Sequence, residues 1–381
     1  GAVCDDGLVI DLSAMTGIRV DPSAGTVQAQ GGITIGQLDH ETQAFGLAVP
    51  MGVVSATGIA GLTLGGGIGW LRRRWGLSCD NLLSADVVTA EGELVVAGEG
   101  GDSDLLWALQ GGGGAVGVVT SFTLRAHRLL PTVFLAFVIH AGTDATEALA
   151  YYRDWADGAP DEISAMAILW HAPPLEEIPT AHHGEPIVVF LAMYAGDPAA
   201  GEESLADLRR HGRPIADLSA PMPYLQVQRF FDEDYPDGMR YYWTSRFLSG
   251  LPDTAIASLV ALNEAAPTPA STIDLWQLGG AMGRVPADAT AFGNRSAALL
   301  AGIEANWENP LDDQRCISWA REVHAELQAE AAGLYLNFPG LFEDDASLGE
   351  RAFGSSAGRL AELRRRYDLT GRFRLHPGEA R

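Results

Sequence analysis

Three features of the sequence predict an α+β fold in two parts. Val49 to Leu82 is dense in glycine yet otherwise apolar, so it reads as a buried, tightly packed loop rather than a solvated linker. Around it, short segments alternate apolar and polar residues at the period of two that hairpins require. From about Pro131 the texture changes to long apolar strands alternating with polar-faced helices, the pattern of an antiparallel sheet with helices on one face.

Taken in order, Gly7 to Leu12 reads as a short strand, and Ile18 to Gln30 as a hairpin turning at P-S-A-G. Thr34 to Phe45 is a helix: Thr34 and Gln37 make a capping box, Ile35, Leu38 and Phe45 share a face, and Gly46 ends it. After the glycine stretch, Ala85 to Val96 is a hairpin with Glu91-Gly92 at its turn. Asp102 to Leu109 is a short helix with Leu105, Leu106 and Leu109 inward, and Val118 to Leu124 is a strand. Gly112 to Gly117 satisfies G-x-G-x-x-G, but that dinucleotide fingerprint follows a strand and opens a helix. Here the helix precedes and the strand follows, so a Rossmann reading is rejected.

In the second part, strands are expected at Val133 to Ile139, Ile163 to Trp170, Pro186 to Tyr194 and Thr272 to Leu278. Helices are expected at Thr146 to Ala156, Ala199 to Arg210, Thr254 to Ala265 and Leu311 to Ala331. Phe230 to Phe247 reads as an aromatic and charged loop. Leu334 to Phe338 reads as a strand and Ser347 to Arg366 as a helix capped by Ser347 and Glu350.

The chain has 381 residues, room for two domains sharing an interface, and 47% hydrophobic residues supply their cores. A formal net charge of -24 opposes nucleic acid and anionic membranes as partners. No unbroken apolar run is long enough for a membrane span. Cys4, Cys79 and Cys316 are odd in number and widely spaced, which fits neither a disulfide framework nor a zinc site and suggests a reducing, cytoplasmic setting. The opening G-A-V-C-D-D-G is neither a signal peptide nor a natural start. His182-His183 looks like a metal pair, but neighbours on a strand point to opposite faces, so no metal is expected.

Glycine permits positive φ and close backbone approach, and a run of bare N–H groups can wrap an anion such as a pyrophosphate. The wording of the run adds to this. Thr57 to Trp70 (T-G-I-A-G-L-T-L-G-G-G-I-G-W), Trp75 to Leu82, Gln110 to Phe122, Y-L-N-F at Tyr335 to Phe338, A-F-G at Ala352 to Gly354 and the tail from Arg364 to Leu375 occur in that order. The ordered set resembles the berberine bridge enzyme-like flavoproteins of the vanillyl-alcohol oxidase superfamily, over nearly the whole chain.

The resemblance implies a discontinuous FAD-binding domain of the PCMH type, formed by residues 1–130 and 333–381, with a substrate-binding domain inserted at 131–332. It implies FAD as cofactor, held by Val53, Val54, Ser55, Thr57, Gly58, Gly61, Leu64, Gly65, Gly66, Gly67, Gly69, Gly117, Val118, Val119 and Asn337. It makes Tyr335 the base that deprotonates a substrate hydroxyl while hydride passes to the flavin. A phenol titrates near about 10, so that role needs hydrogen bonds or a nearby cation favouring phenolate. Strand geometry would turn Tyr335 and Asn337 the same way. No competing base and no paired carboxylates stand out in the sequence. Trp170, Trp276, Gln277, Tyr241, Tyr242 and Trp243 are candidates for the substrate pocket, with core packing the other role open to each. Arg72 to Arg74 could offset phosphate charge or form a solvated loop.

Two departures from the family pattern stand out. The family's first pyrophosphate loop, R-G-G-G-H, carries the covalent histidine anchor just before a stretch like A-V-C-D-D-G-L-V-I-D-L, where this sequence begins, so no histidine here takes that role. Val54 stands where bicovalent members have Cys, so no cysteinyl–flavin bond can form there. The sequence therefore reads as an FAD-dependent oxidoreductase moving hydride from an alcohol, sugar or secondary-metabolite carbon to flavin, with O₂ as final acceptor. The alternative is a flavin-free chain that keeps the second domain as a small-molecule binding module.

Overall fold

The computed structural model describes residues 7–340 and 348–373. Cys4, the Ser347 cap and the end of the tail lie outside the described residues.

The first sheet has five antiparallel strands: β1 (Ile18–Asp21), β2 (Thr26–Gln30), β3 (Leu82–Val88), β4 (Leu94–Gly98) and β5 (Val118–Arg125), in the order β1-β2-β5-β3-β4. Between β2 and β3 run α1 (Ile35–Gln43) and the short α2 (Ile59–Leu64). The capping box at α1 is present, with Thr34 accepting from the Gln37 amide. Phe45, expected inward, is 49% exposed. The helix ends at Gln43, and a turn carries Phe45 off the helical period. Gly92, at positive φ, makes the β3–β4 turn. The helix α3 (Ser103–Leu109), capped by Asp102, precedes Gly112 to Gly117, and β5 follows it. Gly7 to Leu12 forms no strand: Leu8, Val9 and Ile10 are exposed and pair with no neighbour among the described residues.

The second sheet is larger and antiparallel. Its main strands are β6 (Thr132–Ala141), β7 (Ile163–His171), β8 (Pro186–Tyr194), β9 (Arg240–Leu248), β10 (Thr272–Gln277), β11 (Leu299–Trp307) and the short β12 (Ala331–Gly333). They run β6-β8-β7-β10-β11-β9-β12, with Ala216–Asp217 and Ala220–Pro223 pairing outside β6. One face carries α4 (Ala145–Gly158), α5 (Asp253–Glu264) and α6 (Asp313–Glu326), and buries Ala167, Phe190, Tyr242, Leu275 and Ile303 against them. The other face turns Leu135, Met166, Leu191, Trp276 and Leu300 toward the glycine stretch. A last helix, α7 (Ala357–Tyr367), packs on α3 of the first sheet's layer.

Several expectations change. Arg240 to Leu248 is a strand, not a loop. Its polar groups find partners inside the fold: Arg240 pairs with Asp313, the Trp243 indole N–H donates to Asn306, and Arg246 donates to the His324 carbonyl. β11, apolar but for Glu304 and Asn306, went unread in the sequence. Leu334 to Phe338 is not a strand; β12 ends at Gly333 and a turn follows. The helix expected at Ala199 to Arg210 breaks in two at Leu205, and the terminal helix breaks at Gly354–Ser356.

The two layers meet at polar contacts as well as apolar ones. Asp39 on α1 is fully buried and accepts from the Gln228 side-chain amide at 2.9 Å, beside the buried Tyr224. Burial pushes the Asp39 carboxyl up to about 7, against smaller opposing effects of Gln228 and Arg229. A folded-state value above the unfolded one means stability that is full below about pH 4 and is lost as pH rises through about 7. That loss runs at roughly 1.4 kcal/mol per pH unit at most. Asp39→Asn removes this titration, so thermal melts should show the variant gaining on the wild type between about pH 4 and about pH 7. A melting-temperature difference that stays flat across that range would contradict the assignment.

Candidate active site

Where the glycine stretch faces the second sheet lies a cavity of about 300 Å³. One wall is Gly52, Val53, Val54, Thr57, Leu62 and Ile68. The facing wall is Trp243 from β9, Asp274 and Trp276 from β10, and Leu300 and Glu304 from β11, joined by Phe231 and Tyr235 from the loop before β9. Tyr335, Asn337 and Phe338 complete the lining.

Tyr335 is held by its oxygen. The backbone N–H groups of Gly67 and Ile68 donate to it at 3.2 and 3.1 Å, and the Asn337 side-chain amide at 2.9 Å. Asn337 also donates to the Leu62 carbonyl. The two side chains share a side, as expected, but through a turn in which Phe338 N–H donates to the Tyr335 carbonyl rather than through strand alternation. Burial outweighs the three donors and pushes the Tyr335 phenol up to about 12.

The carboxyls were not foreseen. Asp274 and Glu304 lie on adjacent strands, project from the same face and line the cavity. Tyr235 donates to Glu304 at 2.7 Å. Burial first, and then the negative charge of its neighbours, raises Asp274 well above the usual carboxylate range; burial likewise raises Glu304, and Asp234 nearby is pushed up to about 6. The sequence signal was a lone acid in each of two apolar strands, T-I-D-L-W-Q and L-L-A-G-I-E-A-N-W.

Strand alternation also sorts the pocket candidates. Trp276 and Trp243 face the cavity. Gln277 and Tyr242 do not: they sit one position off and point to the helix layer. Gln277 bonds to the Ala165 amide and the Ala156 carbonyl, and Tyr242 lies under Arg321. Trp170 shares the cavity's face of the sheet but lies outside its lining, as does Tyr241, whose hydroxyl donates to Pro236. Arg72 and Arg73 are neither solvated nor beside a free anion site. Arg72 donates to the carbonyls of Gly69, Ala165 and Gln277, and Arg73 to those of Ala159 and Leu278. His183 Nε2 donates to the Leu175 and Ile178 carbonyls within its loop.

The glycines divide in two groups. At Gly65 a Cβ would lie 2.0 Å from Asn337 Oδ1; at Gly66, 2.7 Å from the Phe292 ring; at Gly67, 2.0 Å from Ser78 Oγ; at Gly69, 1.7 Å from the Met51 carbonyl oxygen. Gly66 and Gly67 also hold positive φ. The chain's own atoms occupy these spaces, so packing requires these glycines whatever else they touch. At Gly61 a Cβ would meet nothing within 4 Å, and at Gly58 only the Ile33 carbonyl at 4.0 Å. Ser55 is fixed from across the cavity, its N–H and hydroxyl both donating to Asp232. Leu64 is buried in the first sheet's core. Gly117, Val118 and Val119, at the start of β5, do not line the cavity.

Comparison with known proteins bears on this arrangement. Residues 1–98 match a family described as an FAD binding domain. An FAD-linked oxidoreductase of Dictyostelium discoideum is 30% identical over 372 residues, covering 96% of this chain and 78% of the relative. The chain belongs to the FAD-linked oxidoreductases. A relative of this FAD-linked oxidoreductase in Paenarthrobacter nicotinovorans, (R)-6-hydroxynicotine oxidase, is 28% identical over 98% of this chain and 81% of its own length. The structure of berberine bridge enzyme-like 1 from Physcomitrella patens superposes with a TM-score of 0.85 at 21% identity, covering 98% of this chain and 82% of that one. The fold is the berberine bridge enzyme-like one, and the cofactor is FAD, which sets aside the flavin-free reading.

The cavity suits such a group. Its first wall is uncharged, with Val53, Val54, Leu62 and Ile68 offering apolar surface and Gly52 bare backbone, and in the same stretch Gly58 and Gly61 leave backbone uncovered by any side chain. Among the described residues, no helix is long and apolar enough to cross a membrane.

Two glycine substitutions should separate packing from positioning. In Gly65→Ala the φ of -89° suits alanine, and only the movable end of Asn337 stands in the way. Thermal melts should show a folded protein destabilised by about 1–2 kcal/mol. Gly69→Ala drives a Cβ into fixed backbone and should yield no soluble folded chain. Equal melting temperatures for the two variants would refute this distinction.

Proposed function

We propose that the chain oxidises a small molecule at an alcohol, sugar or secondary-metabolite carbon, with O₂ as final acceptor. The observation that carries this reading is the placement of Tyr335: a phenol fixed by three N–H donors, lining a cavity between an apolar, backbone-rich wall and a sheet of aromatic and acidic side chains. Residues 1–130 with 333–381 serve as the FAD-binding domain, and 131–332 as the substrate-binding domain. Val53, Val54, Thr57, Gly58, Gly61 and Asn337 would hold the flavin, and its chemistry is the acceptance of a hydride. The oxidase name of the Paenarthrobacter relative supports O₂ as acceptor.

Tyr335 holds a substrate hydroxyl and takes its proton in the transition state. Its raised pKa makes it a neutral phenol at rest, so its own proton passes to solvent before the phenolate oxygen takes the substrate's. The donors of Gly67, Ile68 and Asn337 ease the negative charge that develops on its oxygen, as oxyanion-hole donors do. The facing aromatic wall excludes water from the reacting carbon.

Tyr335→Phe removes one oxygen and leaves the packing against Phe247 and Phe338 intact. Flavin content should match the wild type. Stopped-flow flavin reduction by substrate should slow by roughly 10²–10⁴-fold, with a much smaller change in substrate binding. An unchanged reduction rate would remove Tyr335 from the chemistry.

A further inference from the structure

The cavity's sheet wall has a composition that the oxidation reading leaves unused. Its ionisable side chains are acids and phenols: Asp274, Glu304, Tyr235 and Tyr335, with no Lys, Arg or His in the lining. Its other large members are rings, those of Trp243, Trp276, Phe231 and Phe338. Asn337 is the one side-chain amide in the lining, and it is engaged with Leu62 and Tyr335.

Two polar atoms in this wall have no partner. Asp274 Oδ1 and the Trp276 indole N–H are buried without a hydrogen bond, in residues only 4% exposed. The Asp274 oxygen is an acceptor that suits a ligand's positive group, while the indole N–H is a donor and needs an acceptor elsewhere on the ligand. Gly302 leaves the strand bare of a side chain between the two acids. It sits opposite Asp274 in the β10–β11 register, and a point at its missing Cβ lies 3.5 Å from Trp276 Nε1, 3.6 Å from Asp274 Cβ and 3.8 Å from Glu304 Oε1. Any larger residue there would fill the gap between the two acids.

We propose that the substrate carries a positively charged nitrogen, seated over Gly302 between the Asp274 and Glu304 carboxyls and enclosed by the rings of Trp243, Trp276 and Tyr235. The proposal rests on the reading of this cavity as the place where a small molecule is oxidised, and it narrows that molecule's class. Aromatic faces attract cations, and more strongly where water is excluded. Two carboxyls on adjacent strands repel each other when ionised, and a bound cation relieves that repulsion. A neutral polyol can donate its hydroxyls to the same carboxyls, but it carries no charge to offset their repulsion. Other charges bear on the pair: Asp234, itself beside Glu233, adds negative charge, and Tyr235 donates to Glu304. Arg72 lies against the Trp276 ring, but its donors go to backbone carbonyls and it does not line the cavity.

The test is a binding measurement on the full chain, with and without FAD, by tryptophan fluorescence and calorimetry. The probes are benzyltrimethylammonium, its uncharged isostere neopentylbenzene, and glucose. At about pH 8 the cation should bind at least about tenfold more tightly than the isostere. That preference should shrink toward pH 5 as the raised carboxyls protonate, and near neutral pH binding of the cation should release protons to the buffer. Glu304→Gln and Asp274→Asn should each cut the preference about tenfold while leaving isostere binding and the melting profile of a folded protein in place. Equal affinity for cation and isostere, tighter binding of glucose than of the cation, or a preference unmoved by both substitutions would overturn the proposal. A failure of the oxidation reading would appear separately, as a chain that binds the cation yet retains no flavin absorbance.

Discussion

Everything at the site depends on how closely the backbone of Gly65 to Gly69 can be approached. Four separate parts of the chain press against it where side chains would otherwise stand: Asn337, the Phe292 ring, Ser78 and the Met51 carbonyl. Because those spaces are free of Cβ atoms, the N–H groups of Gly67 and Ile68 reach the Tyr335 oxygen. Directly after the turn, Arg72 and Arg73 extend into the second sheet and satisfy carbonyls near the ends of β7 and β10. A buried guanidinium is expensive to leave unpaired, so these bonds hold the glycine turn and the sheet in one register. The clasp on Tyr335 and the anchoring of the sheet are thus two sides of one close approach.

The second sheet contributes electrostatics. Its helix-facing side is apolar, and Tyr242 and Gln277 on that side spend their polarity on internal bonds. Its other side carries two carboxyls within a wall of rings, where burial keeps both from ionising as readily as they would in water. Such groups cluster at functional sites because a ligand can supply what the protein withholds. Polar contacts also tie the loop before β9 to the opposite wall: Asp232 receives two donors from Ser55, and Gln228 bridges Asp39 and the Gly52 carbonyl. The position of the wall formed by Gly52 to Thr57 is therefore set from across the cavity as well as from its own sheet.

Much of this was legible in the sequence, through local signals. The α1 capping box, the Glu91-Gly92 turn, the helix-then-strand order around Gly112 to Gly117 and the apolar strands of the second sheet all follow from propensity and period. The ordered motifs pointed to a flavoprotein of the berberine bridge enzyme-like type, and the Y-x-N pair drew attention to Tyr335. Tertiary structure decided what those signals could not carry. A strand's period says that Trp276 and Gln277 face opposite ways, but only the docking of the glycine stretch on one face says which of them meets the cavity. Arg240 to Leu248 reads as a loop because its charges look solvated, and it is a strand because Asp313, Asn306 and His324 arrive from distant segments to receive them. The pairing of Asp274 with Glu304 is likewise invisible along the chain. Thirty residues separate the two positions, and only the antiparallel register of β10 and β11 brings both carboxyls to the same patch of one sheet.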